Sequence, residues 1–188
     1  MRLFVAVDTS EAVRDAVSAK QSQLKQTNAD VAWVKPENFH LTLKFLGEAP
    51  DGQLGDIRAA LDLAAGLHAA FQMELRGMGC FPERGAPRVV WVGAGDGSET
   101  LTALARDVEE AMTTVGYPRE RREFAGHLTI GRVRGPRGAE RLRRLVDAEV
   151  ETGFGRGPVD EVRLYKSILA PGGSIYEALH SAMLKRGV

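Results

Sequence analysis

His40-Leu41-Thr42-Leu43-Lys44-Phe45 returns 87 residues later as His127-Leu128-Thr129-Ile130-Gly131-Arg132. The interval is close to half of the 188-residue chain. Both copies read as strands, in which side chains alternate between two faces. His40, Thr42 and Lys44 then share one face, with Leu41, Leu43 and Phe45 on the other. In the second copy His127 and Thr129 share a face, and Leu128 and Ile130 pack behind. One His-x-Thr pair is a common accident. Two of them, in matching apolar strands, predict two related halves facing one site.

Around these strands the pattern is mixed. Leu3–Val7 is a short apolar strand, and Ser10 or Thr9 can cap a helix carrying Val13, Val17 and Leu24. Val31–Val34 is a second strand, stopped by Pro36. Asp51 can cap a helix through Leu54, Ile57 and Leu61. Phe71–Met78 and Arg88–Val92 are strands, and Ser98 opens a helix through Leu101, Leu104, Val108 and Met112. Leu142, Leu145 and Val146 mark one more helix. Val162–Leu169 and Ile175–Leu184 are the last expected strands. The Gly-rich stretches 93–97 and 153–157 read as loops, and neither has the spacing of a dinucleotide fingerprint or a P-loop. Adjacent strands with interspersed helices favour an α+β fold with mainly antiparallel sheets.

Composition narrows the class. Hydrophobic residues make up 44% and charged residues 27% of the chain, as in a globular domain. Twenty-five basic residues balance 25 acidic ones, which argues against coating long nucleic acid by bulk charge. A local grip on one phosphate stays open, and all but six of the basic residues are arginine. Cys80 is the only cysteine, so no internal disulfide and no cysteine-based zinc site is expected. The opening stretch turns acidic at Asp8, too early for a signal peptide. No run approaches a membrane span. A cytoplasmic, membrane-free protein is the expectation, with no linker that would divide it into independent domains.

Two imidazoles with ordinary pKa values near ~6.5 can hold opposite protonation states at neutral pH. One accepts a proton from water and the other donates one to a leaving oxygen, each worth roughly 10²–10⁴ in rate. Thr42 and Thr129 hydroxyls can donate to phosphate oxygens. That set suits in-line displacement at phosphorus without a cofactor. Zinc would need a third or fourth ligand. The remaining histidines stand in unrelated contexts, His68 at a helix end and His180 in solvent, so no metal site is expected. Arg132 has the wrong strand parity and reaches the phosphate only if the strand ends, twists or bulges near Gly131; otherwise it is a surface arginine. Lys44 has the right parity to reach the phosphate, and a solvated lysine at the cleft rim is the equal alternative. Phe4 and Trp33 can stack on a base or serve as core aromatics.

At these residues the chain resembles the two-histidine (2H) phosphoesterases, in particular the RNA 2′,3′-cyclic phosphodiesterase branch once described as 2′-5′ RNA ligases. The likeness runs through residues 2–6, the phrase from Trp33 to Glu48, Phe81-Pro82, residues 87–93, His127–Arg132 and Leu164–Ser167. It spans nearly the whole chain. Gly126 departs from the branch pattern, which often has proline before the second histidine.

The resemblance implies a bilobed single unit over 1–188, with two pseudo-twofold-related antiparallel sheets, flanking helices and a central cleft. It implies metal-independent opening of a 2′,3′-cyclic phosphate on RNA 3′ ends or nucleotides; a monomer is the separate expectation. His127 would be the general base and His40 the general acid, with Thr42, Thr129 and Arg132 on the phosphate. An RNA ligase is the nearer alternative, although no adenylating lysine motif is visible. A nucleotide-binding module without catalysis is the more distant one.

Overall fold

The computed structural model describes residues 1–186; residues 187 and 188, the end of the expected unit, lie outside the described residues. Among the described residues, nine strands are interspersed with four α-helices. The first part runs β1 (Arg2–Asp8), α1 (Glu11–Lys25), β2 (Val31–Trp33), β3 (His40–Glu48), α2 (Leu54–Ala65) and β4 (Phe71–Phe81). The second runs β5 (Val89–Ala94), α3 (Ser98–Thr114), β6 (His127–Val133), α4 (Ala139–Asp147), β7 (Gly153–Val159), β8 (Glu161–Ala170) and β9 (Gly173–Met183).

The helices follow their sequence signals. Ser10 Oγ accepts from the Val13 amide and caps α1, whose buried stripe is Val13, Val17, Gln21 and Leu24. Leu101, Leu104, Ala105, Val108 and Met112 form the buried stripe of α3. Asp51 does not cap α2 directly; it opens a single 3₁₀ turn that leads into the helix.

The strand order is β7-β4-β5-β6-β3-β1-β8-β9, with β2 added beside β6. The two expected sheets are thus the two arms of one antiparallel path. Read outward from the joint, one arm is β3-β1-β8-β9 and the other is β6-β5-β4-β7. A single pair, Leu41↔Leu128, joins them. The arms are interleaved. β4 follows α2 in the first part yet pairs with β5, and β8 returns from the second part to pair with β1. Likewise α1 packs on β7 and α3 packs on β3.

Gly153–Val159 is a strand, not the loop its glycines suggested: it pairs with β4 from Phe71↔Val159 to Arg76↔Gly153. Its core contacts come from Phe154 and Val159 alone, since the intervening glycines supply no apolar signal. Gly157 is also required for packing, because a side chain there would stand 2.6 Å from Ser10. No described helix is long and apolar enough to cross a membrane.

Candidate active site

The joint between the arms builds the site. Leu41 and Leu128 are fully buried and face each other across the β3–β6 pair. Alternation turns their neighbours to the opposite face, so His40, Thr42, His127 and Thr129 converge there, all half-buried. Antiparallel pairing sets His40 on the Thr129 side and Thr42 on the His127 side. The two histidines lie diagonally across the Leu41↔Leu128 pair.

Each ring is held in the same way. His40 Nδ1 lies 2.7 Å from the Asn38 carbonyl, and His127 Nδ1 lies 2.8 Å from the Ala125 carbonyl. Both Nδ1 atoms therefore donate, and both Nε2 atoms are left for chemistry. His40 Nε2 is 3.0 Å from Thr42 Oγ1.

Both strands also carry a bulge three residues after the histidine. On β3 the register jumps from Ala6↔Thr42 to Val5↔Lys44, leaving Leu43 as the extra residue. On β6 it jumps from Trp91↔Thr129 to Val90↔Gly131, leaving Ile130. A bulge resets the alternation, with two consequences. Arg132 returns to the face of His127 and Thr129 and stands exposed beside them. Lys44 turns away from the cleft rim and is buried, 2% exposed, with Nζ 2.8 Å from Glu109 and 2.9 Å from the Pro118 carbonyl. The second bulge is clamped from α1, where buried Gln21 donates to the Ile130 carbonyl at 2.9 Å and to the Val34 carbonyl at 2.7 Å.

The two aromatic candidates take other positions. Phe4 is on the site face but only 3% exposed. Its ring lies 4.9 Å from His40, 5.3 Å from Tyr165 and 4.9 Å from Tyr176, so it floors the first histidine and has no free face for a base. Trp33 pairs with Gly131, one step out of phase with Arg132. Its ring occupies the space a Gly131 side chain would need and packs on the core, away from the site. His127 has its own aromatic neighbours, Phe81 at 5.2 Å and Trp91 at 6.5 Å. Trp91 lies flat where a Gly79 side chain would stand, 2.2 Å from its Cβ position.

The other histidines are not free in solvent. His68 is 2.7 Å from Asp107, and His180 is 2.7 Å from Asp62. At Gly126 a Cβ would approach Leu101 of α3 to 2.9 Å, so glycine there permits close helix packing.

Several site residues carried no local sequence signal. A cavity of about 250 Å³ opens beside His40, lined among others by Asp8, Glu37, Arg163, Tyr165 and Tyr176. Tyr165 donates its hydroxyl to Asp8 at 2.8 and 2.9 Å, and Arg163 Nη1 is 2.7 Å from the same carboxylate. Burial pushes the Tyr165 phenol up to about 12, so it stays a donor. Burial lowers the His40 pKa, opposed by the Asn38 carbonyl and by the Asp8 charge. Asp8 and Tyr165 are 157 residues apart and meet only through β1–β8 pairing.

The sequence and the fold match those of known proteins. The sequence profile described as LigT like phosphoesterase matches twice, over residues 7–91 and 92–176, one match for each His-x-Thr strand. A protein from Methanothermobacter thermautotrophicus named RNA 2′,3′-cyclic phosphodiesterase is 39% identical over 94% of this chain and 95% of its own. The crystal structure of TT0787 of Thermus thermophilus superposes with a TM-score of 0.84 at 32% identity, covering 99% of both chains. E. coli LigT complexed with 3′-AMP superposes with a TM-score of 0.74 at 27% identity, covering 97% of both chains. The chain belongs to the LigT-like, two-histidine phosphoesterase family.

Proposed function

We propose that the protein hydrolyses the 2′,3′-cyclic phosphate of RNA 3′ ends or nucleotides to a 2′-phosphomonoester, using the two histidines and no metal. The observation that carries this reading is the Leu41↔Leu128 pair, which turns both His-x-Thr sets to one face. Relatives named RNA 2′,3′-cyclic phosphodiesterase that match nearly the full chain support it.

In this mechanism His127 Nε2 takes a proton from water as the water oxygen bonds to phosphorus. The bond from phosphorus to the 3′ oxygen breaks, and His40 Nε2 gives that oxygen a proton. The sum is addition of one water, and proton exchange with solvent resets both rings. Thr42, Thr129 and Arg132 bind the nonbridging oxygens and stabilise charge that grows as the new bond forms. The strained ring supplies the leaving group, so positioning and proton transfer suffice.

The cavity beside His40 supports this division of labour. Its lining comes from β1, β3, β8, β9 and residues 37–39, all of one arm. A nucleoside seated there puts its departing 3′ oxygen on the His40 side and leaves water to arrive at His127. The interleaved arms support one functional unit, and we read it as a cytoplasmic monomer.

The test is product analysis after incubation with a 2′,3′-cyclic mononucleotide in EDTA, with and without an RNA bearing a 5′-hydroxyl. A 2′-monophosphate is expected in both. A 3′-monophosphate, a ligated product only, or binding without turnover would each replace the proposal.

A further inference from the structure

The two histidines share ring anchors and bulges, but not their neighbours across the ladder. β1 pairs Asp8 with His40, and the matching strand β5 pairs Gly93 with His127. One arm therefore offers a carboxylate where the other offers a hydrogen atom. Asp8 is not a loose surface acid. Tyr165 and Arg163 fix its carboxylate, and Glu161 holds Arg163 in turn. Asp8 and His40 line the same cavity.

We propose that Asp8 is a positioning residue that offsets the burial of His40, so that this ring can bring a proton to the reaction. This rests on the acid–base reading given above. The charged and titratable groups facing His40 are Asp8 from β1, Glu37 before β3, Arg163 and Tyr165 from β8, and Tyr176 from β9. The ring sits on Phe4 and against Tyr176, and this apolar packing disfavours its cation. The Asp8 charge opposes that effect. Removing it also leaves the Arg163 guanidinium facing His40 without its Asp8 counter-charge. Both changes act in one direction, toward a neutral His40.

The sign of the test follows. Loss of the proton from the general acid produces the basic limb of the pH profile of kcat/KM. In Asp8→Asn that limb moves to lower pH, by on the order of one unit. Activity at pH ~8 then falls about tenfold, while activity on the acidic side changes little. Tyr165→Phe removes a hydroxyl but keeps the Asp8 charge, so its basic limb stays at the wild-type pH. A uniform fall at every pH in Asp8→Asn, or an equal shift in Tyr165→Phe, would show that packing alone is at work and overturn the proposal. NMR titration of the His40 imidazole reads the same effect without turnover and is expected to show a lower pKa in Asp8→Asn. An unchanged titration in an active enzyme defeats the role of Asp8 only. A protein that opens no cyclic phosphate, yet shows the titration difference, defeats the reaction only.

Discussion

β3 and β6 do the same thing up to their fourth residue and different things after it. Each starts with a histidine whose Nδ1 is tied to the carbonyl two residues back, and each bulges three residues later. Beyond the bulge, β3 has Lys44 and Phe45 where β6 has Gly131 and Arg132. Lys44 dives into the core to meet Glu109 of α3, and Phe45 is 60% exposed on the site face beside Phe4. Gly131 makes room for Val31 and Trp33, and Arg132 faces the cleft. The repeated part is what both arms must supply, an oriented Nε2 and a hydroxyl. The divergent part gives one arm the tie to its neighbour and the other arm an exposed arginine, the proposed phosphate cation.

The largest effects are expected where the arms agree. His40→Ala or His127→Ala lowers kcat by on the order of 10²–10⁴. In the proposed mechanism the rings act in one proton-transfer sequence, so the double variant is expected to lose far less than the product of the two. A fully active His40→Ala enzyme would break the equivalence of the arms. Next come the phosphate contacts. Arg132→Ala removes a charge-assisted interaction worth about 1.5–3 kcal/mol, or roughly 10- to 100-fold in kcat/KM. Equal kcat/KM in the variant would place Arg132 outside the phosphate site.

The divergent ties should appear in stability first. Lys44→Ala leaves Glu109 partly buried without its cation and is expected to cost roughly 3 kcal/mol of unfolding free energy, read by denaturant titration. Gln21→Leu abandons the Val34 carbonyl and loosens the Ile130 bulge, at roughly 1–3 kcal/mol. Because that bulge aims Arg132, Gln21→Leu should also weaken inhibition by inorganic phosphate, whereas Lys44→Ala should not. Equal phosphate inhibition in wild type and Gln21→Leu would show that the bulge holds itself.

How much of this was legible in the sequence follows from the range of each interaction. The His-x-Thr strands, the helical stripes and the antiparallel character are local patterns, and they stand in the structure as read. The parity of Lys44 failed because a bulge is a two-strand property: Leu43 is extra only relative to Val5 and Ala6. The same device returns Arg132 to the cleft face, and Gly131 was the one local hint of it. β7 hid because glycines fill it, and its pairing with β4 is what makes it a strand. Phe4 and Trp33 were legible as aromatics in the right neighbourhood, but their exposure depends on rings and strands far along the chain. Asp8, Tyr165 and Arg163 form one cluster only after β8 comes back beside β1.

The central claim is that both arms deliver a ring to a single phosphorus atom. A crystal structure with a bound 2′-nucleotide tests it most directly. The prediction is one phosphate within hydrogen-bond reach, ~2.6–3.2 Å, of both His40 Nε2 and His127 Nε2, with its nucleoside over the cavity that Tyr165 and Tyr176 line. A phosphate bound by one histidine, with the other ring turned away from it, would contradict the account.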